Sequence, residues 1–238
     1  MIYRVDPKIF EQYPNFFRGV VVASTVDNTA SNHSELDQLL RQRIREIELD
    51  ESISVHHERI EAWSDIYASF PLKDKRKIQP SVGALVQRIK KGKGADIPFI
   101  SPLVCISNLI SLTHIVPSGL IDAESVQGDL VLGYARGDEV FSPIGSNEIL
   151  SPEPGEIIYY DSGSKNVMCR AWNSRGGKAT FILPTTKIAV IDVDGLLTVI
   201  SRDEIETATN KIAMLVNKYC SGQMRLCFLN QANQAFEI

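Results

Sequence analysis

Arg170, Trp172, Asn173 and Arg175 crowd one short stretch, MCRAWNSR. On a strand, side chains two positions apart share a face, so Arg170 and Trp172 would point the same way. A guanidinium beside an indole either binds a carboxylate, a phosphate or a flat ring, or forms a purely structural stack. A second concentration is electrostatic. Lys73, Lys75, Arg76, Lys77, Arg88, Lys90, Lys91 and Lys93 fall within one segment whose only acid is Asp74. That segment carries +7, so the remainder of a chain of net charge −4 carries −11. A basic patch on an otherwise acidic protein either is a solvated face or meets phosphates while the rest repels them.

Other patterns exclude chemistry. IDVDG at Ile191–Gly195 has the look of an aspartate nucleophile placed after a strand, as in phosphoryl transfer. Such a site needs a lysine and further carboxylates downstream, yet only 43 residues follow Gly195 and most of them follow one helical pattern. The segment therefore reads as a strand end with turn-forming aspartates. No GxSxG nucleophile elbow is present, and Gly92 and Gly94 follow a helical pattern rather than the strand a phosphate loop requires. Cys105, Cys169, Cys220 and Cys227 have no CxxC spacing and read as buried, reduced thiols. The histidines are not spaced to complete a zinc site, and His56-His57 reads as a helix-entry pair. Neither metal nor cofactor is expected.

The elements that must position these residues are legible in the periodicity. GVVVAS at Gly19–Ser24 reads as a buried strand. Leu36, Leu40, Ile44 and Ile47 fall on one face of a helix opening at Ser34; Ile60, Trp63 and Tyr67 mark a second. Val82, Leu85, Val86 and Ile89 mark a third after Pro80, and Pro102 sits in the first turn of a fourth. Beyond Gly119 the period changes. Leu130–Ala135, Glu156–Tyr160, Val167–Trp172, Thr180–Leu183 and Lys187–Val193 read as strands, with Asp161–Ser164 a hairpin turn. Ser201 and Glu204 make a capping box for a closing helix that Gly222 ends. Nothing resembles a linker. The expectation is one α+β domain over residues 1–238, a mixed or antiparallel sheet core covered by helices, with the helix and strand of 201–230 completing it. With 44% hydrophobic residues the chain can bury a sizeable core. No run approaches the roughly 18 apolar residues of a membrane span, and the N-terminus lacks a signal-peptide pattern, so a cytoplasmic, non-membrane protein is expected.

From Gly19 to about Asp192 the chain resembles stand-alone B3/B4 domain proteins, which are similar to the editing domain in the beta chain of phenylalanyl-tRNA synthetase. The resemblance is carried by AWSDIY, PSVGALVQRI, SPLVCISNLISL, VPSGLIDAESVQGDL, GDEVFSPIG, PGEIIYYD, CRAWN and TTKIAVID, in that order. The synthetase domain removes tyrosine wrongly attached to tRNA. Its threonine–asparagine pair falls on Ser107-Asn108, and its histidine falls on Gly119. Its small alanine–glycine pair falls on or near Trp172-Asn173, and its glutamate falls on Asp192, six residues after Thr186. The resemblance implies a hydrolase of aminoacyl-tRNA esters acting in trans, with the charged 3′ end of a tRNA as partner. Ser107, Asn108 and Asp192 would be catalytic. Gly119, Arg170, Trp172, Asn173, Arg175 and Thr186 would line the substrate site, and the basic residues from Lys73 to Lys93 would meet RNA. The departures bear on chemistry: an imidazole is missing at Gly119, the wall is bulkier, and the acid is one carbon–carbon bond shorter. The alternative they favour is a module that binds a free amino acid or similar metabolite without catalysis.

Overall fold

The computed structural model describes residues 1–29, 33–72, 78–94 and 97–238. In chain order the elements are β1 (Ile2–Val5), α1 (Pro7–Gln12), β2 (Phe16–Ser24), α2 (Ser34–Leu49), α3 (Glu58–Ala68), α4 (Ser81–Arg88), α5 (Pro102–His114), β3 (Ser118–Asp122), β4 (Leu130–Tyr134), β5 (Ile157–Asp161), β6 (Val167–Arg170), β7 (Arg175–Gly176), β8 (Ile188–Leu196), α6 (Arg202–Cys220), β9 (Gln223–Leu229) and β10 (Ala235–Glu237). A π-helical turn, Ile89–Lys93, continues α4.

The strands form two sheets. One has four antiparallel strands in the order β3-β8-β2-β9, and the other has six in the order β10-β1-β4-β5-β6-β7. The second is mixed, because β1 runs parallel to β4. The expected α+β class holds. The central strands β2 and β8 are buried on both faces, which is why GVVVAS and KIAVID are almost wholly apolar. Alternation sorts their side chains. Phe17, Val21, Ala23, Ala189, Ile191 and Val193 face a helical layer that includes α2, α5 and α6. Phe16, Val20, Val190 and Leu196 face the six-stranded sheet, together with Tyr3, Leu130, Leu132, Ile157 and Tyr159. The four-stranded sheet is therefore the middle layer. Gly19 lets α6 lie close on β2, since a Cβ there would overlap the Thr209 hydroxyl.

Local signals explain the helix ends. Ser201 and Glu204 form the capping box of α6, and Ser101 with Pro102 opens α5. His57 caps α3, its ring nitrogen accepting the Arg59 N–H at 3.2 Å.

Three expectations are corrected. Thr180–Leu183 is not a strand: Pro184 follows it without an N–H, and the segment instead closes over the end of β3, where Thr180 O accepts the Asp122 N–H. The strand expected over Val167–Trp172 stops at Arg170, because Ala171 and Trp172 take left-handed φ values of 45° and 62°. The aspartates of IDVDG do not end a strand in a turn; β8 runs on to Leu196, with both buried inside it.

Candidate functional site

Period two along β8 puts Asp192 and Asp194 on the face that meets the six-stranded sheet. Opposite them on β2 are Val20 and Arg18 respectively, and opposite Asp192 on β3 is Gly119. Two carboxylates and a guanidinium are thereby driven between the sheets, and burial of charge demands pairing. Arg18 is 2% exposed; its Nε and Nη2 donate to the two oxygens of Asp194 at 2.6 and 3.0 Å. Its Nη1 donates to the Tyr3 hydroxyl at 2.6 Å, and that hydroxyl donates to Asp192 Oδ2 at 3.1 Å. Asp194 also accepts from Asn173 Nδ2 at 2.9 Å, and Asn173 Oδ1 accepts from the Tyr67 hydroxyl at 2.5 Å. The Tyr159 hydroxyl is buried beside Tyr3 without a well-formed hydrogen bond.

This network is unequal. Asp194 holds the bidentate bond of the one guanidinium, so Asp192 is the surplus acid. Burial pushes the Asp192 carboxyl up from the ordinary range; Arg18 pulls it down, Asp194 pushes it further up, and the Tyr3 hydroxyl and Gly119 N–H pull it down. A carboxylate offers about four lone-pair sites, which leaves Asp192 with capacity to accept. Its Oδ1 lies over Gly119, where a Cβ would come within 2.7 Å. β3 is an edge strand, and Ser118, Gly119 and Leu120 are half-buried. The absent side chain at Gly119 thus leaves room for the Asp192 carboxylate against the backbone of this edge strand.

Ser107 and Asn108 approach the same strand from the other layer. Ser118 and Leu120 alternate with Gly119, so their side chains face α5, and the Ser107 hydroxyl bonds the Ser118 hydroxyl at 2.8 Å. Ser107 is buried, and among the described residues no histidine or carboxylate bonds it to serve as the base a nucleophilic serine requires. Asn108, next along α5, is half-buried. Ser107 and Asp192 therefore flank the β3 edge from opposite faces.

The remaining expected residues have structural partners. Arg170 is held by fully buried Glu156 through two hydrogen bonds of 3.0 and 2.6 Å, and its guanidinium lies 5.7 Å from the Phe141 ring centroid. Arg175 is exposed and approaches the same ring at 6.0 Å. The expected pairing of Arg170 with Trp172 on one strand face is not formed, because the chain turns between them. Trp172 instead enters the core, edge-on to Phe16 at 4.8 Å and to Trp63 at 5.3 Å. Asn173 joins the network itself. Thr186 is a buried latch, donating to Asp122 Oδ2 at 2.7 Å and accepting from the Leu183 N–H at 3.0 Å. Of the basic cluster, Lys73, Lys75, Arg76 and Lys77 lie outside the described residues. Arg88, Lys91 and Lys93 are exposed, while Lys90 donates to the Asp50 carbonyl at 2.6 Å. All four cysteines are free thiols. Among the described residues no helix is long and apolar enough to cross a membrane.

Tyr3 and Arg18 escaped the sequence reading, which took Tyr67 as part of a helical stripe and Asp194 as a turn former. A signal existed for Arg18 and Asp194. Arg18 interrupts the apolar run FFRGVVVA, and a charge buried in such a run requires an acid; Asp194 lies two positions from Asp192 in a run of the same kind.

The profile of the B3/4 domain family matches residues 62–221. No curated protein matches the chain. Among solved structures, it is similar to an N-terminal fragment of the phenylalanyl-tRNA synthetase beta-subunit from Pyrococcus horikoshii, at 14% identity and a TM-score of 0.46, covering 94% of this chain and 50% of that one. The chain thus spans about half the length of that fragment. Because the family profile takes in more than half of the residues, this chain belongs to the B3/4 domain family.

Proposed function

We propose that this protein is a cytoplasmic aminoacyl-tRNA deacylase of the editing type, acting in trans on the charged 3′ end of a tRNA. The observation that carries the reading is Asp192, a buried surplus acid lying over the bare backbone of Gly119 at a half-buried sheet edge. There it would accept a hydrogen bond from the amino group or side chain of the bound amino acid. Asn108, next to Ser107 on α5, would orient the ester or the attacking water. Water adds to the ester carbonyl carbon, the bond to the ribose oxygen breaks, and that oxygen takes up the proton as the amino acid leaves. With no imidazole at Gly119, the neighbouring ribose hydroxyl would relay the water's proton to the leaving oxygen, and fixed N–H donors would stabilise the developing oxyanion. Arg170 is given no part in this proposal, because its Nε and Nη2 are spent on Glu156.

RNA would meet the basic segment. α4 starts beside the network, where the Ser81 N–H donates to the Asn173 carbonyl. Lys91, ten residues on, lies about 15 Å away at helical rise. Each phosphate neutralised adds roughly 0.7–0.9 to the slope of log affinity against log salt. Equal tRNA affinity at low and high salt would contradict this part. The activity is tested by incubating the protein with a panel of correctly and wrongly charged tRNAs. Selective release of one amino acid, lost in Asp192→Ala, supports a deacylase, and no release from intact tRNA by folded protein refutes it.

A second reading, a binding module for a free amino acid, is favoured by one observation. None of the four histidines belongs to the network: His33 stacks on Phe99, His56 pairs with Glu61, His57 caps α3 and His114 ends α5. A thermal shift with free amino acids in the absence of tRNA would support that reading.

A further inference from the structure

The network is completed by residues that lie outside the matched family segment. Tyr3 and Arg18 precede residue 62, where the match begins. β1 belongs to the six-stranded sheet and β2 to the four-stranded one, so the Tyr3–Arg18 contact joins the two sheets beside Asp192.

The hydrogen bonds have a forced direction. Arg18 can only donate, and it spends Nε and Nη2 on Asp194. Its Nη1 donates a hydrogen bond to the Tyr3 oxygen at 2.6 Å. The single Tyr3 hydroxyl hydrogen is then turned away from the guanidinium and toward Asp192 Oδ2, 3.1 Å distant. Arg18 has no direct bond to Asp192 among the described residues; it reaches that acid through Tyr3. Pinning Oδ2 leaves Oδ1 as the oxygen over Gly119. The Tyr3 ring is held independently of its hydroxyl, by Tyr159 at 5.4 Å and Phe236 at 5.3 Å between centroids. The orientation of the acid thus depends on one atom that can be removed without emptying the ring's site.

We infer that Tyr3 is a positioning residue of the site: its hydroxyl, oriented by Arg18, holds Asp192 so that one carboxylate oxygen faces the ligand over Gly119. The inference rests on the reading that Asp192 contacts the bound amino acid. The groups that act on Asp192 are Tyr3 from β1, Arg18 from β2, the Gly119 N–H from β3, Tyr159 from β5, Cys169 from β6 and Asp194 from β8 itself. Of these, only Arg18, Tyr3 and the Gly119 N–H favour its ionised form.

The test is Tyr3→Phe, read in two ways. Carbon-13 NMR of the aspartate carboxyls, assigned through Asp192→Asn, follows the Asp192 titration without needing activity. Deacylation of the amino acid that the wild type releases is followed against pH. Loss of the donor makes the carboxyl hold its proton more tightly. The Asp192 titration and the acidic limb of the rate profile should therefore move together to higher pH, with kcat/KM below the limb falling about tenfold or more. In the Asp192→Asn background, where no carboxyl remains to titrate, Tyr3→Phe should no longer shift the acidic limb. A lowered melting temperature with an unmoved Asp192 titration overturns the inference and makes Tyr3 structural, leaving a wild-type deacylase intact. A moved titration in a protein that neither deacylates tRNA nor binds amino acids overturns the reading beneath it and the positioning role with it.

Discussion

Replacing Gly119 with alanine should act through one side chain. The added Cβ would lie 2.7 Å from Asp192 Oδ1, 3.2 Å from Cγ and 3.3 Å from Oδ2. No other heavy atom is among its three nearest neighbours, and the φ of Gly119 lies outside the left-handed region, so backbone strain plays no part. The carboxylate must swing aside and give up the Tyr3 hydroxyl. A hydrogen bond to a charged group contributes about 1.5–3 kcal/mol. Against that, Gly→Ala at a compatible position gains about 0.4–1 kcal/mol from the unfolded chain. The net cost is about 1–2 kcal/mol, or a melting temperature lower by about 2–8 °C for a chain of this size. Thermal unfolding of the single variants and of the Gly119→Ala/Asp192→Ala double variant measures it. In the Asp192→Ala background nothing remains for the new methyl to strike, so Gly119→Ala should become neutral or mildly stabilising there. An equal loss in both backgrounds would refute the packing of Asp192 over Gly119.

Arg170→Ala should destabilise the fold by about 3 kcal/mol, because it leaves fully buried Glu156 without its cation; Glu156→Gln in the same background should recover part of the loss in denaturant unfolding. Asp192→Asn should keep or raise stability at neutral pH. Burial raises the Asp192 pKa, so the folded state holds that proton more tightly than the unfolded one. Wild-type stability therefore falls as pH rises from the ordinary carboxylate range through the raised value, and the difference between wild type and variant in calorimetry at pH 4 and 7 isolates that fall. His114 has the opposite sign: burial, with Lys211, Arg59 and Arg43 nearby, lowers it to about 4. Its contribution is present above the ordinary histidine value and is lost as pH falls toward 4, so His114→Gln should shift acid unfolding to lower pH.

Much of the helical layer could be read directly, because each stripe there answers to one period. Leu36, Leu40, Ile44 and Ile47 are buried on α2 as their spacing requires, and the Ser201–Glu204 box caps α6. β1, α1 and β3 were not legible. IYRV, PKIFEQ and SGLID are too short for a period to show, and β1 is defined by pairing with β4 and β10, far away in the chain. The site was half legible. Asp192 and Gly119 could be named from family resemblance, and the structure places them as cross-strand neighbours. Arg170 and Trp172 were grouped by an alternation that ends in two left-handed residues, a backbone event that side-chain patterning does not record. The Tyr3–Arg18–Asp194 network depends on two sheets meeting, which no local window contains.

The most direct test of the central claim is the profile of amino acids released from a panel of charged tRNAs by the wild type and by Asp192→Asn. If Asp192 contacts the bound amino acid, the wild type releases a narrow set and the folded variant releases a different one, because a neutral amide replaces the acid. An unchanged profile in Asp192→Asn, or no release by either protein, would contradict the assignment of this site.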